Sequence, residues 1–157
     1  MNIFVLDKSP WVAAEYQCDK HVVKMVLETG QMLSTIHRQY GNEHDTLYKP
    51  THAHHPCTVW ASTNRANYRW LYDHFIALAN EYRHRYYKTH STWLRLNPVV
   101  QYSPPDMPDG ERTPFALAMP EQYKGDDAVE SYRRYYVGEK SDFLTYTRRR
   151  PPYWLAA

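Results

Sequence analysis

On one expected helix, His21, Lys24, Glu28, Gln31 and Thr35 have the residue types and spacing for acid–base and nucleophilic chemistry. At 100° per residue they fall within an arc of about 80°. Most of the remaining positions are apolar or small, from Val22 and Val23 through Met25, Val26, Leu27 and Gly30 to Met32, Leu33 and Ile36. A helix apolar over most of its circumference is normally buried, so a narrow ionisable stripe on it points into a cleft, where burial perturbs titration. The competing reading is a plain Lys24–Glu28 i, i+4 ion pair on the solvent edge of a helix packing. Asp19 and Lys20 open the same helix. There the unpaired N–H groups favour an anion such as phosphate, or Asp19 serves simply as the cap.

A second cluster, Thr51-His52-Ala53-His54-His55-Pro56-Cys57, puts three imidazoles in four residues. Imidazole is a common metal ligand, and Asp19 or His21 could complete a site. The loop nevertheless lacks the i, i+4 spacing of a helical zinc motif and has no paired cysteines, so no metal and no cofactor is expected. Histidine at a helix N-terminus stays neutral readily, which makes His55 and His52 candidates for proton transfer or phosphate contact. Asn64 and Asn67 share a face with Trp60; they suit either a base edge or the tying of neighbouring helices. Tyr132, Arg133 and Tyr136 with Lys140 interleave cations and aromatics, as a platform for an extruded base would, or as an ordinary amphipathic helix does. Arg148, Arg149 and Arg150 ahead of Pro151 and Pro152 read as a basic turn leading into a docking tail over 148–157.

These groups need a scaffold. Nineteen Lys and Arg oppose 17 Asp and Glu, for a formal charge of only +2 over 157 residues, so bulk charge does not by itself indicate nucleic acid. The load of 15 Tyr, 5 Trp and 9 His, at a mean hydropathy of −0.77, calls for a hydrogen-bonded interior or an aromatic cleft. No apolar stretch reaches the roughly 18 residues a membrane span needs, and the N-terminus is too short and too soon acidic for a signal peptide. A cytoplasmic protein without a membrane partner is expected, with Cys18 and Cys57 reduced.

The pattern predicts a mainly α fold: a single compact helical domain over 1–157 with one short N-terminal extended segment at 2–6. Ser9 and Pro10 start a short helix that ends near Cys18, and a longer one covers 20–40. Another runs over 56–86, bent near Ser62 and Thr63. The proline-rich stretch 97–114 reads as a loop. Asp126 and Asp127 cap a helix that ends at Gly138, and a last short helix covers 141–147.

The opening Met1-Asn2-Ile3-Phe4, the run Asp19-Lys20-His21-Val22-Val23-Lys24-Met25 and the Thr51, His52, His55, Pro56, Cys57, Trp60 pattern together resemble a group of small proteins carried by tailed bacteriophages and some bacteria. More distantly, the layout is similar to the pyrimidine-dimer DNA glycosylase/AP lyase family of the phage endonuclease V type. That resemblance implies a small helical enzyme in which an N-terminal amine attacks the sugar C1′, with Glu28 shuttling protons beside His21 and Lys24. Initiator methionine is removed before small residues, and Asn2 is not small. The Met1 amine, or a desolvated Lys24, then takes the nucleophile's place. The expected function is a DNA-directed enzyme acting at a pyrimidine nucleotide, with DNA or a nucleotide as partner. The alternatives are a base-hypermodification transferase acting on a hydroxymethylpyrimidine and a non-catalytic nucleic-acid-binding or host-interaction protein.

Overall fold

Local rules set most of the helix starts. Ser9 Oγ accepts the Val12 N–H at 3.3 Å and Pro10 takes the first helical position, giving α1, Pro10–Tyr16. Helix α2, Asp19–Gln39, is capped by the Cys18 main chain rather than by Asp19, whose side chain is engaged elsewhere. The single helix expected over 56–86 is two: α3, Pro56–Ser62, and α4, Arg65–Tyr86. Asn64 leaves the helical region and its side chain accepts the Asn67 N–H at 2.9 Å, so it restarts the chain as a fresh N-cap.

The computed structural model describes residues 1–140 and 144–155, and among them there are six α-helices and no strand. The fold is mainly α, as the pattern predicts. The 2–6 run pairs with no strand and is not uniformly extended, since Phe4 has φ 56°. Part of the stretch expected as loop is helical: α5, Ser91–Val100, contains Pro98 in its last turn. Its buried Thr92, Leu96 and Val100 recur every four residues, and that packing overrides the proline because the helix ends two residues later. Helix α6, Ala128–Glu139, is capped by Asp127 and runs through Gly138 rather than stopping there. Of the helix expected over 141–147, residues 141–143 lie outside the described residues and 144–147 are not helical.

Helices α2 and α4 are antiparallel: Arg85 meets Asp19 at one end, and Tyr68 meets His37 at the other. Helix α5 crosses α2 at Gly30, where a Cβ would stand 2.6 Å from the Thr92 methyl, so only glycine allows the approach. The polar aromatics are largely interior and satisfied. Tyr68 OH donates to the Val100 carbonyl at 2.6 Å, and Tyr132 OH donates to that of Ala116 at 2.6 Å.

The C-terminal segment is tied on by a buried ionic cluster. Arg85, fully buried, bridges Glu81 at 2.7 Å and Asp19 at 3.1 Å, and Arg149 chelates Glu81 at 2.8 and 2.9 Å. Asp19 also accepts the Thr147 N–H and hydroxyl. Burial alone would raise both carboxyls, but the Thr147 and Arg85 bonds to Asp19, and the Arg149 and Arg85 bonds to Glu81, outweigh it and hold both below their ordinary range. Arg85→Ala leaves the buried Glu81 and the partly buried Asp19 each short of a partner. It is expected to cost about 3–5 kcal/mol in urea denaturation; a loss under about 1 kcal/mol, as at a surface pair, would contradict this account.

Candidate active site

The N-terminal segment covers His21 and Glu28 of the stripe on α2 rather than leaving them to line an open cleft. Asn2 Oδ1 accepts the Ile3 and Phe4 N–H groups at 2.7 and 3.1 Å, while its Nδ2 donates to the Ala118 carbonyl at 2.8 Å. Gln17 Nε2 holds the Ile3 carbonyl at 3.1 Å. The Met1 side chain is 1% exposed, packs on the core and accepts a weak bond from the Thr58 hydroxyl at its sulfur. Met1 as a whole is only half-buried, so its accessible part is the main chain.

That seating brings the Met1 amine to 3.3 Å from Glu28 Oε1. Glu28 is buried; its Oε2 has no hydrogen-bond partner among the described residues, although Lys24 Nζ lies at ion-pair distance, 3.5 Å. The Lys24 side chain is 60% exposed. The expectation of a desolvated Lys24 is thereby corrected: the residue sits on the solvent arc of α2, beside Val23 and Leu27, which are also exposed. Gln31 is half-buried on the same helix, and Thr35 is buried, exchanging bonds with the Thr51 main chain at 3.1 and 3.2 Å. Those bonds anchor the histidine loop to α2.

His55 caps α3, its Nδ1 accepting the Cys57 N–H at 3.1 Å, which leaves the ring proton on Nε2. Burial pushes its pKa down, the positive Met1 amine and His52 push it further, and the Met1 backbone and Glu28 pull the other way. A neutral imidazole therefore faces the amine. His52, at φ 50°, is exposed. Burial drives the Cys57 thiol up to about 11, which removes it as a nucleophile. Among the described residues no group of three or more His, Cys, Asp or Glu is placed to hold a metal ion.

His21 lies two turns before Glu28, stacked on Phe4 at 4.2 Å, with Nδ1 2.6 Å from Tyr136 OH. Burial, then the charges of Lys140, Lys24 and Lys20, lower it to about 3. It buttresses the N-terminal segment as a neutral ring.

The remaining expectations resolve into structural roles. Asp19 accepts from Arg85 and Thr147 and is neither a helix cap nor open to an anion. Lys20 is exposed on the first turn of α2. Trp60 Nε1 donates to the Thr113 carbonyl, Asn64 Nδ2 to that of Glu111, and Asn67 Nδ2 to the Thr113 hydroxyl, so all three tie the 111–113 segment to the helices. The base platform on α6 is absent: Tyr132 and Tyr136 are fully buried, and Arg133 donates to Leu6 and Asp7. A cleft of about 640 Å³ between Val137, Leu144, Pro151 and Tyr153 has Arg150 as its charged lining residue among the described residues, which bring no acid–base pair to it. Asn2, Gln17 and Ala118 are positioning groups that no sequence pattern marks, because each acts through a contact between distant segments.

The arrangement defines a helical protein whose chain-terminal amine faces a buried carboxylate. The chain belongs to the pyrimidine dimer DNA glycosylase family, whose model matches residues 1–95. Searches of curated proteins and of solved structures found no significant match. The matched span holds Met1, Lys24, Glu28 and His55, and the family assigns a DNA-repair glycosylase function with DNA as the partner. No described helix is long and apolar enough to cross a membrane.

His21, His37 and His74 are buried with pKa values lowered to about 3, 4 and 4, burial being the main cause for each. All three lie below the ordinary histidine value of roughly 6.5, so the unfolded chain binds protons that the folded chain refuses. Their contribution to stability is complete above that value and is lost as pH falls toward about 4 and then about 3. Thermal melts are expected to show Tm declining from about pH 6 downward; a flat Tm down to pH 4 would contradict the buried neutral assignments.

Proposed function

We propose that the chain excises pyrimidine dimers from DNA and cuts the strand at the resulting abasic sugar, with the Met1 amine as nucleophile and Glu28 as its proton acceptor and donor. The observation that carries this reading is the 3.3 Å approach of the Met1 amine to Glu28 Oε1. Attack requires a neutral amine. As a class, α-amines are less basic than lysine side chains by roughly 2.5 pH units, and a carboxylate in contact can take the proton. Burial of the Met1 side chain supports retention of the initiator residue: its removal would vacate that seat and leave an amine on Asn2, a residue 7% exposed.

The amine lone pair forms a bond to C1′ while the C1′–N bond to the pyrimidine breaks, its electrons leaving with the base, which takes up a proton. The nitrogen then loses a proton and forms its second bond to C1′ as the C1′–O4′ bond breaks and O4′ takes up a proton, which gives a Schiff base between Met1 and the opened sugar. Loss of a C2′ proton then expels the 3′ phosphate and breaks the strand, and water hydrolyses the imine to restore the amine. Glu28, with one oxygen on the amine and the other without a hydrogen bond, is suited to each of these proton transfers. The neutral His55 beside the amine adds no positive charge that would hinder its neighbour's reaction, while the exposed Lys20, Lys24 and His52 supply contacts to the phosphates.

The test uses ultraviolet-irradiated supercoiled DNA. The wild-type chain is expected to nick irradiated DNA and spare unirradiated DNA. Glu28→Gln keeps the shape of the side chain but cannot accept the proton, so nicking at saturating DNA is expected to fall about 10²–10⁴-fold with duplex affinity retained. Nicking by Glu28→Gln at the wild-type rate would remove Glu28 from the chemistry.

A further inference from the structure

The basic triplet Arg148, Arg149, Arg150 is divided by the fold. Arg149 is neutralised by Glu81, whereas Arg148 enters a neighbouring cleft of about 460 Å³ lined by Asn80, Arg83, His84, Tyr87 and Arg148. All five lining residues are exposed.

Among the described residues four non-glycine residues have positive φ, and two of them meet in this cleft, Tyr87 at 57° and Arg148 at 56°. The Arg148 guanidinium lies 4.4 Å from the centre of the Tyr87 ring. Its position is fixed twice: Arg148 Nε donates to the His84 carbonyl at 3.1 Å, and His84 Nε2 donates to the Arg148 carbonyl at 2.9 Å. A guanidinium stacked on a ring and held by Nε keeps its two terminal nitrogens directed outward, the geometry that matches a phosphate. Arg83 stands one turn before Tyr87. Among the described residues Arg83 and Arg148 have no carboxylate partner, and neither do Arg69, Arg95, Arg112 and Arg150; Arg83 and Arg148 are the pair that share this cleft. In a chain whose formal charge is only +2, two arginines converge on one cleft without an acid to balance them.

The cleft is separate from the amine centre. Arg85 is level with Asp19, and Glu28 lies nine residues further along α2, roughly 14 Å along the helix axis. Arg148 also lies beyond the span that the family model matches.

We propose that this cleft is a phosphodiester-binding site at which Arg83 and Arg148 hold the DNA backbone at a distance from the Met1 and Glu28 centre; the choice of DNA as ligand rests on the proposed function. The test measures binding of a labelled undamaged duplex against salt concentration. Each phosphate contact contributes about 0.9 to the slope of log K against log salt, so Arg83→Gln is expected to lower the slope by about 0.9, and the double variant with Arg148→Gln by about 1.8. Lys124→Ala, which removes a lysine paired with Glu121, should leave the slope as in wild type. Among the described residues Arg83 makes no side-chain hydrogen bond or ion pair, so its variant reports even where Arg148→Gln melts early. Arg148→Lys, which keeps the charge and loses the fork, should restore most of the slope.

Unchanged slopes in folded Arg83→Gln and Arg148→Lys/Arg83→Gln proteins would overturn the proposal. So would inorganic phosphate shifting the arginine Nε–H NMR signals while the duplex slope stays at the wild-type value, since the cleft would then take a free anion only. Borohydride trapping of wild-type protein on damaged DNA reads the amine chemistry independently: an adduct with unchanged slopes rejects the cleft alone, and lowered slopes without an adduct reject the amine mechanism alone.

Discussion

The contact between the Met1 amine and Glu28 governs the rest of the structure. A carboxylate set on a buried helix is costly unless a cation meets it, and leaving a buried charge unpartnered costs about 3–5 kcal/mol. The nearest side-chain cation, Lys24, is mostly in water. The chain terminus therefore supplies the buried partner, and the first six residues must be led across α2 to deliver it. This explains why residues 2–6 are buried without belonging to any sheet, and why Phe4 accepts a left-handed backbone to stack on His21.

Holding a terminus in place is difficult, because chain ends fray unless tied down. Here the ties come from every side. Asn2 binds its own following N–H groups and reaches Ala118, Gln17 holds Ile3 from the end of α1, and Thr58 of α3 meets the Met1 sulfur. Ala118 is in turn fixed by Tyr132 of α6, so the C-terminal half of the chain acts as a clamp on the N-terminal half that carries the family resemblance. The Asp19, Arg85, Glu81 and Arg149 cluster fastens the far end of the same clamp. The Tyr and His excess of the composition serves this purpose, with hydroxyls and rings closing the gaps where irregular backbone crosses helices.

The stripe on α2 could be read from the sequence because helical periodicity reports which positions share a face. What covers that face could not be read, since Asn2 and Ala118 are 116 positions apart. Periodicity also leaves the role of α6 open: alternating Tyr and Arg looks the same whether the rings face a ligand or the core, and here Tyr132 and Tyr136 face the core. Helix α5 was hidden by proline counting, although Thr92, Leu96 and Val100 carry the four-residue spacing that packs it against Gly30. The histidine loop is legible as a helix start from His55 and Pro56. Its approach to the chain terminus depends on the Thr35 and Thr51 bonds, which only the folded chain shows.

The identity of the nucleophile is the central claim, and the position of the covalent adduct tests it most directly. The protein would be incubated with dimer-containing DNA, reduced with borohydride, digested after lysine and arginine, and mapped by mass spectrometry. The account predicts the reduced sugar on the α-nitrogen of peptide 1–8, with Met1 still present. An adduct on Lys24, seen as a missed cleavage there, or an adduct on Asn2 after loss of Met1, would contradict it.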